Sequence, residues 1–339
     1  MSEIRVFTNP FKPGAGHSPP YLAGRDSERV EFRELLKQRV ILKNLVLTGL
    51  RGVGKTVLLG EFKPIAVSNN WLWVGDDLSE SASLTEERLV KRILTDLAAV
   101  TSAMVIDRRI VPQLGFAKPT KMVELRLTYD VLWGVYGNTP GLVSDKLRAI
   151  LELVWACMKD SGPQGLIFAY DEAQNLTDHS AKDEYPVSLL LDVFQSIQRK
   201  EIPFMLVLVG LPTLFPKLVE ARTFAERMFH VVFVDRLEEQ DCRDAIVKPI
   251  QDAGCPFPPE DELVDEIIQE SGGYPYFVQF ICSEVYDVAV REHQANRPLV
   301  VNLVDITRKL DVDFFAGRWS RATDRQRDLL LAIAAQQLR

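Results

Sequence analysis

Cysteine and histidine are scarce in this sequence, with four of each in 339 residues and no two cysteines arranged as CxxC. That scarcity excludes a zinc ribbon and a disulfide framework, and it points to a reducing compartment. Positive charge is also in deficit. Lysine and arginine number 40 against 47 aspartates and glutamates, a formal net charge of −7. The chain is therefore not a general polyanion binder, and any nucleic-acid contact must come from a local basic patch. No apolar run approaches the roughly 20 residues that span a bilayer. Residues 1–13 lack the basic segment and apolar run of a secretory leader. These absences lead to the expectation of a soluble cytoplasmic protein with no membrane partner. Apolar residues make up 47% of the chain and charged residues 26%, which suits one large domain with one or two small ones.

The first 24 residues are rich in proline and glycine and read as an extended arm. Gly24-Arg25-Asp26 then leads into a helix with Phe32, Leu35, Leu36 and Val40 on one face. Asn44–Thr48 is a short buried strand, followed by a Gly-rich turn and a helix from about Lys55 that Pro64 is expected to end. Trp71–Val74 reads as a second strand and residues 84–100 as an amphipathic helix. Residues 101–140 mix Arg108, Arg109, Lys118, Lys121 and Arg126 with Pro112, Pro119 and Pro140. Two readings of them stay open, a helical insertion or a mobile loop. Further on, a helix is expected at 141–159, an apolar strand at 166–170 and a helix from about Pro186. Two more strands follow, at 204–209 and 231–234. Short apolar strands alternating with amphipathic helices imply a parallel sheet covered on both faces. After Asp235 the strand signal stops, and residues 238–250, 259–270 and 275–292 read as the helices of a small second domain.

Two motifs carry chemistry. Gly49-Leu50-Arg51-Gly52-Val53-Gly54-Lys55-Thr56 fits the pattern GxxxxGK followed by Ser or Thr, and it lies between a buried strand and a helix. Glycines let such a loop wrap phosphate oxygens, while backbone N–H groups and the helix N-terminus supply partial positive charge. The cradle, residues 49–56 with Val57 behind it, would bind ATP. Lys55 would reach the β- and γ-phosphates, and the Thr56 hydroxyl would ligate Mg2+. The second motif is Asp171-Glu172, where an apolar strand leaves the sheet on the side that holds ligands in open α/β folds. Asp171 can hold the magnesium ion, and Glu172 can orient and polarise an attacking water.

With these residues the sequence resembles the AAA+ ATPases. The branch is the one containing archaeal replication-initiator, transposition-regulator and STAND-type signalling ATPases. Leu22-Ala23-Gly24-Arg25-Asp26 is similar to the hhGRE segment that packs near the adenine in that branch. Gly272-Gly273-Tyr274-Pro275 is similar to the GxP element of its helical lid, whose proline lies close to the base. The resemblance implies an α/β P-loop core at residues 25–236, a helical lid at 237–292 and ATP between them. Residues 293–339 would be a linker and the start of a winged-helix-like domain, of which only the first helix fits before Arg339. It also implies a polar sensor after the fourth strand, here Thr213, and an arginine acting on a neighbouring subunit's site, here Arg227. One feature departs from initiator-type members: Tyr276 and Phe277 stand where they carry a sensor arginine, which tilts the match toward signalling-like members.

The expected activity is hydrolysis of ATP to ADP and phosphate, by a switch that forms homo-oligomers when ATP-bound. Its partner stays open between DNA and a protein. Nucleic-acid loading is supported by the basic residues Arg318, Arg321, Arg325 and Arg327. A STAND-like signalling or defence switch is supported by the overall acidity. A P-loop kinase fits less well, because an Asp-Glu pair and a helical lid suit attack by water.

Overall fold

A computed structural model describes residues 7–14, 16–111, 121–255 and 258–337. The chain divides into two compact units, Arg25–Asp235 and Met1–Gly24 with Arg236–Arg339.

The first unit runs α1 (Asp26–Leu36), β1 (Asn44–Thr48), α2 (Lys55–Ser68), β2 (Trp71–Val74) and α3 (Glu86–Thr101). A hairpin follows, β3 (Val105–Val111) with β4 (Lys121–Arg126), then α4 (Tyr129–Asn138), α5 (Val143–Met158), β5 (Gly165–Tyr170) and α6 (Pro186–Arg199). It closes with β6 (Phe204–Gly210), α7 (Leu214–Ala221), α8 (Ala225–Met228) and β7 (Phe229–Phe233). Five strands form a parallel sheet in the order β2-β5-β6-β1-β7. The three inner strands, NLVLT, GLIFAY and FMLVLVG, are buried at every position. Such continuous apolar runs are what a parallel sheet with both faces covered requires. Phe168 meets Phe194 of α6 edge-on at 5.0 Å, while Phe32 of α1 stacks on Phe62 of α2 at 4.2 Å.

A buried polar cross-link sets the start of the sheet. Asn44 is fully buried. Its Oδ1 accepts from the Leu206 N–H and from Gln198 Nε2, both at 2.8 Å. Its Nδ2 donates to Gln198 Oε1 and to the Met228 carbonyl, both at 3.3 Å. One side chain thus joins β1 to β6, α6 and α8, with its polar atoms satisfied, as burial demands.

Three expectations need correction. Val40 lies beyond α1, which ends at Leu36, and so is not on its face. Pro64 does not end α2, which continues through Ser68. Ala66, fully buried, keeps the last turn packed, and Asn69 Nδ2 secures it by donating to the Ile65 carbonyl at 2.8 Å. The segment 101–140 is neither a helical insertion nor a loop over its described part. It holds the antiparallel pair β3–β4, in register Arg108↔Glu124, and then α4. Pro112, Lys118 and Pro119 lie outside the described residues.

The second unit contains α9 (Glu239–Asp252), α10 (Asp261–Ser271), α11 (Pro275–Gln294), α12 (Leu303–Leu310), a π-helical turn at Asp311–Phe315, α13 (Ala316–Arg321) and α14 (Asp324–Gln337). Its core gathers Cys242, Ile246, Val264, Ile267, Val278 and Ile281. The N-terminal segment is anchored there. Phe11 and Ala23 are buried in the same core, and Asn9 Nδ2 donates to the Ser283 carbonyl at 2.9 Å and to Asp287 Oδ1 at 2.8 Å. No helix among the described residues is long and apolar enough to cross a membrane.

Candidate nucleotide site

The strand order places the ends of β1 and β5 on either side of β6, and the registers Thr48↔Gly210 and Tyr170↔Leu208 bring all three out at one edge of the sheet. Parallel-sheet ligands bind at such carboxyl ends. Residues 49–56 leave β1 there. A Cβ at Gly49 would collide with the Val234 carbonyl oxygen, so the loop turns directly against the end of β7. Gly52 (φ +89°) and Gly54 (φ +93°) take left-handed conformations that suit glycine and disfavour most side chains. Val53 is buried and pins the loop, whereas Leu50, Arg51 and Thr56 are exposed and Val57 is half-buried. Lys55, the first residue of α2, donates from Nζ to the carbonyls of Gly49 (2.9 Å) and Leu50 (2.8 Å). Burial lowers its pKa, and the negative charges of Asp171 and Glu172 oppose that shift.

Asp171 follows β5 directly and is 5% exposed. Its Oδ2 accepts a 2.5 Å hydrogen bond from the Thr56 hydroxyl, and its Oδ1 accepts from the Glu172 N–H at 2.7 Å. A hydroxyl and a carboxylate oxygen at this separation are the hard oxygen donors that magnesium prefers. Residues and metal therefore fit. Glu172 has φ +51°, a left-handed backbone uncommon outside glycine, and such outliers cluster at functional sites.

The structure also brings in residues that the sequence reading missed. The Gln174 side-chain amide donates to the Glu172 carboxylate, and its Oε1 accepts from the Leu211 N–H at 3.0 Å, just past β6. Lys217 of α7 holds the same turn, donating to the Gln174 carbonyl at 2.8 Å and to Thr177 Oγ1 at 3.0 Å. Asp77 lies past the end of β2, bridged in parallel to Asp171, and Leu78 N–H donates to the Asp171 carbonyl at 2.9 Å. Burial, then Asp171, Asp76 and Glu172, push the Asp77 pKa up. A signal existed for Asp77: like Asp171, it belongs to an acidic pair close behind an apolar strand, here one glycine after β2.

The remaining candidates are placed as follows. Arg25 is buried, with Nη2 on the carbonyls of Val53 (3.0 Å) and Asp235 (2.7 Å) and Nη1 3.4 Å from Glu28. Thr213 is exposed at the start of α7, and among the described residues its hydroxyl makes no hydrogen bond. Arg227 is exposed on α8, and among the described residues its side chain has no hydrogen bond or ion pair. Pro275 opens α11 in the other unit, with Tyr276 and Phe277 behind it; Phe277 packs against Phe314 and Phe315. Of the basic cluster, Arg318 covers Phe314 and Arg321 donates to the Gly317 carbonyl. Arg327 pairs with Asp324, and Arg325 is exposed.

No protein-family model matches the chain, and no curated protein does. Solved structures do. The Aeropyrum pernix ORC2 protein in ADPNP–ADP complexes is similar at 13% identity and TM-score 0.53, over 92% of this chain and 74% of that one. The Aeropyrum pernix ORC1 protein in complex with DNA matches at 16% identity and TM-score 0.50, over 87% and 67%. Cdc6p from Pyrobaculum aerophilum matches at 12% and 0.50, over 84% and 66%. At these identities the likeness is one of fold, and the chain spans about two thirds to three quarters of the proteins it resembles.

Proposed function

We propose that this chain, whose fold is that of the archaeal initiator-type AAA+ ATPases, is an ATP-binding and ATP-hydrolysing switch. One observation carries the reading: the Thr56 hydroxyl and the Asp171 carboxylate meet beside the P-loop lysine, with a second carboxylate, Glu172, next in line. Backbone N–H groups of residues 52–56 and the N-terminus of α2 would receive the phosphates. Lys55 would leave two loop carbonyls for the β- and γ-phosphates. Thr56 and Asp171 would hold Mg2+, which would neutralise the negative charge that develops on the phosphate oxygens. Glu172 takes a proton from the attacking water as its oxygen bonds to the γ-phosphorus and the bond to ADP breaks. Gln174 holds one Glu172 oxygen and leaves the other for that water. Thr213 would sense the γ-phosphate, and Arg227 would act on the site of a neighbouring copy. Nucleotide state would then govern self-assembly or engagement of a partner.

For the partner, the similar ORC1 structure was determined with DNA, which supports a nucleic-acid role. A STAND-like switch with slow turnover and no nucleic-acid role is favoured by the net charge of −7 and by the local engagement of Arg318, Arg321 and Arg327. Phosphate release measured with and without duplex DNA, on the wild type and on Lys55→Ala, tests both. The wild type should hydrolyse ATP and the variant should lose affinity by at least about tenfold, since a charged contact to phosphate is removed. Equal affinity in a folded Lys55→Ala protein would overturn the ATP site, and DNA stimulation would decide for the nucleic-acid role.

A further inference from the structure

Arg25 is 4% exposed, and its guanidinium holds two main-chain carbonyls. Nη2 donates to the Val53 carbonyl at 3.0 Å and to the Asp235 carbonyl at 2.7 Å. Nη1 faces Glu28 at 3.4 Å, and the other oxygen of that carboxylate accepts from the Ser27 hydroxyl at 2.7 Å. The Val53 carbonyl belongs to the peptide that supplies the Gly54 N–H. In a planar trans peptide the carbonyl and the N–H point in opposite directions. A donor that holds the Val53 oxygen on one side therefore turns the Gly54 N–H to the other. Gly54, at φ +93°, opens α2.

Asp235 stands at the other end of the same unit. Arg25 is its first residue and Asp235 its last, so the chain crosses to the second unit next to each of them. The end of β7 is tied to the root of the loop twice more. Val234 N–H donates to the Thr48 carbonyl at 2.7 Å, and Gly49 has no room for a Cβ against the Val234 oxygen.

We infer that Arg25 is a positioning residue that fixes the Val53–Gly54 peptide for phosphate binding and ties that peptide to Asp235, so that phosphate in the loop is felt where the chain leaves the core. The inference rests on the P-loop reading above. It gives Arg25 a role exerted through main-chain carbonyls. A rigid planar fork suits this task, because one nitrogen reaches two carbonyls while the other faces Glu28. The flexible ammonium of lysine keeps the charge for Glu28 but lacks that geometry.

The test is backbone hydrogen exchange followed by mass spectrometry, on the full chain with and without ATP and Mg2+. The variants are Arg25→Lys and, to avoid stranding a buried carboxylate, Arg25→Met combined with Glu28→Gln. In the wild type, nucleotide should slow exchange both in residues 49–57 and in residues 235–238. In Arg25→Lys, affinity should fall about tenfold, the scale of one lost hydrogen bond from a charged group. At saturating ATP its loop should still be protected, while residues 235–238 become indifferent to nucleotide. A purely structural role would speed exchange throughout the core and leave the nucleotide-dependent difference at 235–238 intact, in both variants. That result overturns the inference, as does a wild type in which 235–238 ignore nucleotide while 49–57 respond. If residues 49–57 themselves do not respond, the P-loop reading fails and this inference goes with it.

Discussion

The Thr56 hydroxyl donates to Asp171 Oδ2 across 2.5 Å although 115 positions separate the two residues. The sheet brings them together. β1 and β5 flank β6, and Thr56 in the first turn of α2 reaches the residue that follows β5. A residue chosen to hold magnesium should matter only when magnesium is present. Asp171→Asn keeps an oxygen for the Thr56 hydroxyl and loses the charge. Affinity for ATP with Mg2+ should drop roughly 10- to 100-fold, the range for a charged interaction, while affinity for metal-free ATP should change little. Calorimetric titration in magnesium and in EDTA checks this. An equal loss in both buffers would mean that Asp171 supports the fold of the loop and not the ion.

Stability offers an independent check on the architecture. Asn44→Leu removes the hub that serves Gln198, the Leu206 N–H and the Met228 carbonyl. Leaving those groups buried without their partner should cost about 2–4 kcal/mol. Changing Gln198 to Leu in the same protein should recover part of the loss, because an apolar pair leaves fewer unmet groups. Urea unfolding of the single and double variants reads both quantities. A loss under about 0.5 kcal/mol, the level of an ordinary surface substitution, would show that water reaches the site.

How much of this could be read from the sequence depends on where the partners lie. The inner strands and the P-loop were legible because their evidence is contiguous: apolar runs such as FMLVLVG, a glycine pattern, an acidic pair at a strand end. Pro64 misled because a proline's cost to a helix is local, whereas the burial of Ala66 that outweighs it is tertiary. The β3–β4 hairpin hid because Asp107, Arg108 and Arg109 break its apolar alternation. Gln174 sits in a short 3₁₀ turn that has no periodicity, and its partner, the Leu211 amide, is 37 positions away. Arg25 was visible as part of a short motif. Its partners were not, because a main-chain carbonyl carries no side-chain signature.

Arg227 tests assembly. It is exposed, with no hydrogen bond or ion pair among the described residues, as a residue reserved for another copy would be. Arg227→Ala should bind ATP as the wild type does and hydrolyse it at least about 10³-fold more slowly, the lower end of what such arginines supply. Mixing it with Lys55→Ala should restore part of the turnover, since each protein provides what the other lacks. A monomeric wild type at all concentrations, with no rescue at any mixing ratio, would leave Arg227 as a surface residue.

Glu172 and Gln174 allow binding and chemistry to be separated. On the proposed function, Glu172 follows the residue assigned to the metal and would act on water without gripping the nucleotide. Glu172→Gln keeps size and hydrogen-bonding oxygen but loses basicity. Turnover should fall about 10²–10⁴-fold, with ATP affinity within a few-fold of the wild type. Gln174→Ala removes the amide that holds one Glu172 oxygen and leaves the carboxylate chemically intact. Its turnover should fall less, about tenfold, as expected when a general base keeps its basicity and loses part of its orientation. Gly210→Ala supplies a second route to Gln174, because a Cβ there would collide first with the Gln174 amide oxygen and then press on Leu214 Cδ2. If Gln174 acts through Glu172, adding Gln174→Ala or Gly210→Ala to Glu172→Gln should cost nothing further. Single-turnover phosphate release on the double variants decides the matter. Losses that multiply would show that Gln174 works on another group, and wild-type turnover in Glu172→Gln would remove the carboxylate from the chemistry altogether.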